Sequence, residues 1–150
     1  MTRYALALPL LAAMALPVQA GNVTNQQSCQ LMARHVVDIL ESRDWSDEAA
    51  TEIGVLDAFD AAQATIITAE VADSATQMGM PVADIQTMVD RQGEMLAASI
   101  EQRYGTEKLY RDYTTSLLNC AKMAPDQLGS DPETFVATLD QIGMWAQQGK

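Results

Sequence analysis

Two thiols, one imidazole, a handful of thioethers and a run of carboxylates are the side chains in this sequence that could do chemistry, and their spacing limits which. Cys29 and Cys120 are the two cysteines and stand 91 positions apart. They form no Cys-X-X-Cys or Cys-X-X-Cys-His, so neither a dithiol redox motif nor covalent haem attachment is encoded. His-Glu-X-X-His, Gly-X-Ser-X-Gly and a phosphate-cradling glycine loop are also missing from the string. A chain with His35 as its one histidine cannot assemble the multi-histidine sites of zinc and iron enzymes. Held without a covalent link, haem could lie between His35 and a methionine of a facing helix; the plainer reading is a histidine at the edge of a core stripe. Met78 and Met80, in "MGMP", place two thioethers at a turn where both could face Cu(I). Their plainer use is to fill gaps in a core, and the same is expected of Met88 and Met95. Asp57 and Asp60 stand one turn apart on a helix, with neither the oxygen-rich loop of a calcium site nor a cleft for acid–base work. No catalytic residue, metal site or cofactor is assigned, and the expectation is a protein that is not an enzyme.

The carboxylates are distributed unevenly. The formal net charge is −11, and no lysine or arginine stands between Arg43 and Arg91. Such a balance repels nucleic acid and anionic lipid surfaces. Within that interval Asp57, Asp60, Glu70 and Asp73 are candidates for a face that attracts a basic protein partner, although a solvated helix surface would carry the same residues. "EQRYGTEKLYRDY" gathers much of the remaining positive charge with three tyrosines. Tyr104 and Arg111 are therefore the second candidates for a protein contact.

The first 20 residues read as a secretory signal peptide: Arg3, an apolar run from Ala5 to Leu16, then Pro17 and the small-residue pattern Val18-Gln19-Ala20. The run falls short of the roughly 20 residues a bilayer span needs. Cleavage is expected after Ala20, giving a mature chain from Gly21 with no membrane span, periplasmic or secreted. Residues 21–150 suffice for one domain with a single core. In an oxidising compartment two lone cysteines pair, so a Cys29–Cys120 bridge is expected.

Helical periodicity dominates what remains. The spacing predicts a first helix over 26–42 with Cys29, Met32, Val36, Ile39 and Leu40 on one face. A second covers 47–77, capped by Ser46, with Ile53, Leu56, Phe59, Ala62, Ile66 and Ala69 inward. A third covers 81–103, opened by Pro81 and closed at Gly105. A fourth carries Leu109, Tyr110, Tyr113, Leu117 and Cys120 on its buried side. "APDQLGSDPE" is the clearest loop, where proteolysis between Pro125 and Ser130 should precede cleavage of any helix interior, and Ser130 with Glu133 has capping-box spacing for a last helix over 132–147. The fold class expected is all-α, an up-and-down helical bundle of four to five helices in a single domain with one disulfide.

These residues together point to a small exported acidic helical protein that is a non-catalytic periplasmic interaction or accessory protein, chaperone-like, inhibitory or acting in envelope assembly. The alternative is a periplasmic copper or haem carrier using Met78 and Met80 or His35.

Overall fold

The computed structural model describes residues 17–42 and 47–150. Five helices make up the described residues: α1 (Pro17–Glu41), α2 (Ala50–Met78), α3 (Val82–Tyr104), α4 (Arg111–Met123) and α5 (Pro132–Gln147). The bundle and the disulfide expected from the sequence are both present. The apolar run of the leader and the Ser46 cap lie outside the described residues. α1 begins well before the expected start at 26 and runs through the expected cleavage junction at Ala20–Gly21. No helix among the described residues is long and apolar enough to cross a membrane.

Helix ends follow their local chemistry. Gly79 closes α2 in the left-handed conformation, donating back to the carbonyls of Ala75 and Thr76, a backbone state glycine adopts without steric cost. Pro81 then forbids continuation and stands as the cap of α3 rather than inside its first turn. The capping of α5 is shifted by one residue from the expected Ser130. The Asp131 carboxylate accepts the Thr134 N–H at 2.9 Å and its hydroxyl at 2.6 Å, with Pro132 at the first helical position. Pro at that position has no N–H to leave unpaired, so the cap has only the remaining donors to satisfy.

α1 is the central element, packed against α2, α3 and α4, while α5 lies on α2 and α4. Its buried residues accordingly spread around the helix, including Ala33, Val36, Ile39 and Leu40 at no more than 1% exposure. The larger core joins these to Leu56 and Phe59 of α2, to Leu109, to Tyr113 and Leu117 of α4, and to Phe135, Leu139, Ile142 and Trp145 of α5. A second, smaller core at the other end joins Val23 to Ile67, Val71 and Ala75 of α2 and to Ile85 and Val89 of α3.

The inward stripe of α2 agrees with expectation through Phe59 and then diverges. Gln63, Ile67, Val71 and Ala75 are buried in place of Ala62, Ile66 and Ala69. A glutamine interrupts the apolar pattern because its side chain donates to the Gln127 carbonyl at 2.8 Å, which offsets the cost of burying it. Glutamines do this elsewhere too. Gln27 donates to the Val89 carbonyl at 2.8 Å and Gln92 to the Thr24 hydroxyl at 2.8 Å, tying α1 to α3. At that crossing a Cβ on Gly93 would come within 3.2 Å of the Gln27 amide nitrogen, so glycine allows the close approach.

Candidate functional site

Cys29 faces inward from α1 and Cys120 from α4, and the two are bonded with their Cα atoms 6.1 Å apart, inside the range a disulfide spans. The bridge holds α4 against α1. On either side of it the surface is hollow. α3 and α4 both rest on α1 and meet through the rings of Tyr104 and Tyr113, but no Cα of one comes within 8 Å of a Cα of the other.

The larger hollow is a groove of about 540 Å³ between α3 and α4, floored by α1 and the disulfide. α1 contributes Asn25, Ser28 and Met32, α3 contributes Leu96, Ser99, Ile100, Arg103 and Tyr104, and α4 contributes Ser116, Asn119 and Met123. Its volume lies in the range of small-molecule sites, about 300–1,000 Å³. Arg103 is the one charged side chain in that lining, and its guanidinium lies 5.3 Å from the centre of the Tyr104 ring, a cation–π distance. Exposed methionine stands in and beside it: Met123 of the lining is 64% exposed, and Met95, one turn before Ser99 on α3, is 73% exposed. Met95 and Met88 therefore do not fill a core as expected. The smaller core takes Ile85 and Val89 of α3 instead, because the helices whose backbones pack along α3 are α1 and α2.

The other candidates are placed as follows. His35 is buried rather than at a boundary, and its Nε2 lies 3.1 Å from the Tyr113 hydroxyl, with the rings edge to face. Burial lowers the imidazole pKa, against the opposing pull of the Gly105 carbonyl and the charges of Asp38 and Glu101; burial also raises the Tyr113 phenol well above its ordinary value. The group that meets His35 is thus a phenol, not the thioether a haem ligand pair would need. Met78 is exposed, whereas Met80 packs on the smaller core, so the two sulfurs sit in different surroundings. Among the described residues no three histidine, cysteine or carboxylate side chains gather as metal ligands.

The four acidic candidates are not brought onto one face. A helix advances about 100° per residue, which sets Asp57 and Asp73 on nearly opposite sides of α2. Asp60 is paired with Arg34 at 2.9 Å, and Glu70 lines a smaller cavity of about 200 Å³ on the far side of the disulfide. Tyr104 and Arg111 are separated as well. Tyr104 packs with Tyr110 and Tyr113 in one aromatic corner and borders the α3–α4 groove, while Arg111 borders a hollow between α4 and α5.

Sequence reasoning missed the groove. Its residues come from three helices, and the one signal was the short α4, too short to cover the length of α3. Comparison with protein-family models, curated proteins and solved structures finds no match.

Proposed function

We propose that this chain is an exported accessory protein that binds rather than transforms, working through the groove between α3 and α4 in the periplasm or outside the cell. The groove is the observation that carries the reading: it is concave, mixed apolar and polar, and has a covalent bridge in its floor. Export is supported by the leader pattern, and cleavage after Ala20 would keep Val23, 4% exposed, and the later packed residues of α1 in the mature chain.

The test is a photocrosslinking amino acid at Met95 in the expressed full-length protein, with Asp57 on α2 as the control position. The expected result is a discrete adduct from Met95, absent from Asp57, on a chain whose mass shows the leader removed. No adduct at Met95, or equal labelling at both, would sink the groove as the working surface. A mature mass still containing the leader would remove export.

A further inference from the structure

We infer that the α3–α4 groove takes a single-chain anionic amphiphile, an alkyl tail ending in a carboxylate, with the tail along Met32, Leu96, Ile100 and Met123 and the carboxylate at Arg103. This deepens the reading of the groove as the working surface and rests on it. Size and lining choose this occupant. The groove of about 540 Å³ lies in the range of small-molecule sites, and an alkyl chain can follow its apolar side chains. Unbranched methionines suit such a guest, because they adjust to a flexible tail.

Charge selects the head group. In a chain of net charge −11, the groove is lined by one arginine and no carboxylate. Arg103 makes its cation–π contact with Tyr104, and among the described residues no carboxylate lies within salt-bridge distance of it. Ser99, one turn before Arg103 on the same face of α3, adds a hydroxyl donor beside the guanidinium. An anion is thus favoured at this end of the groove and disfavoured over most of the remaining surface.

The experiment is isothermal titration of the oxidised full chain with octanoate, decanoate, dodecanoate and tetradecanoate, alongside the matching alcohols. One site per chain is expected, with affinity rising roughly fourfold per added methylene until the groove is filled. The alcohols should bind about threefold or more weakly. Arg103→Gln should bring the carboxylates down to the alcohols, Arg103→Lys should restore most of the difference, and Ser116→Trp, which fills the groove from α4, should abolish binding of both. Circular dichroism and a free-thiol assay on each variant verify that the bundle and its bridge survive. Binding that is not saturable at one site, that ignores chain length, or that is indifferent to either Arg103→Gln or Ser116→Trp would overturn the inference. So would uptake of diacyl lipid vesicles in place of the carboxylates. If no amphiphile binds while the Met95 adduct persists, the inference fails and the groove remains a binding surface for another partner.

Discussion

His35 ties α1 to α4 through the Tyr113 hydroxyl, and the direction of its pKa shift makes this contact sensitive to pH. Its folded pKa lies below the ordinary 6.5, so between the two values the unfolded chain binds the proton that the folded chain refuses. Stability therefore rises with pH across that window, is complete above 6.5, and is lost as pH falls through the folded value. Urea unfolding at pH 5 and 7.5 should show the parent less stable at the lower pH, while His35→Gln, which keeps an amide for Tyr113, should show a flatter profile; parallel profiles would remove His35 from the account. Asp131 behaves in the same sense, lower on the pH scale. Its hydrogen bonds to Thr134 hold its carboxyl below the usual range, so its capping is present at neutral pH and lost in acid. Asp131→Ala should lower the denaturation midpoint at neutral pH. Gly129 is a third sensitive position: its φ is +72°, and an added Cβ would overlap the Ala58 carbonyl. Gly129→Ala should destabilise by about 1–3 kcal/mol, and a smaller effect would mean that the loop yields easily.

At the scale of elements, the loop after α4 lies where its sequence signature puts it but is docked. Leu128 is 1% exposed, Gln63 holds the Gln127 carbonyl and Gly129 abuts α2. Its proteolytic vulnerability is accordingly reassigned. A broad-specificity protease should cut first between Gly105 and Lys108, where four successive residues are exposed, and earlier cleavage at 125–130 would show that the docking of Leu128 is weak. The bridge between α1 and α4 closes a loop of 91 residues, so replacing both cysteines by alanine should lower stability by up to about 4–5 kcal/mol in the chain-entropy model. Helix number, the glycine stops at Gly79 and Gly105 and the cysteine pairing were legible because each depends on local periodicity, local backbone freedom or a single possible partner. The later stripe of α2, the exposure of Met88 and Met95 and the groove were not. Each depends on which helices meet, and buried glutamines bonded to distant carbonyls carry no apolar signal.

Across the whole molecule, the acidic residues surround α2 instead of forming one face, which weakens the expectation that Asp57, Asp60, Glu70 and Asp73 dock a basic partner. Replacing Asp57, Glu70 and Asp73 by their amides should leave stability within about 0.5 kcal/mol, with a smaller response to added salt, since repulsion among exposed charges is relieved. Asp60→Asn is different because it breaks the Arg34 pair, an exposed contact with a contribution of about 0.2–1 kcal/mol. If a partner captured at Met95 associates with the triple variant as fast as with the parent at low salt, these carboxylates serve solubility; slower association would restore them as a docking surface.

The central position of α1 has a consequence in time. The helix that α2, α3 and α4 pack against is made first, and its thiol precedes that of Cys120 by 91 residues. At a synthesis rate of about 5–20 residues per second, this is an interval of roughly 5–18 s. The smaller core needs only α1, α2 and α3, so it can assemble while α4 is still unmade. Cys29 waits through that interval as a thiol, and the covalent link comes as a lock on a bundle already begun rather than as its seed.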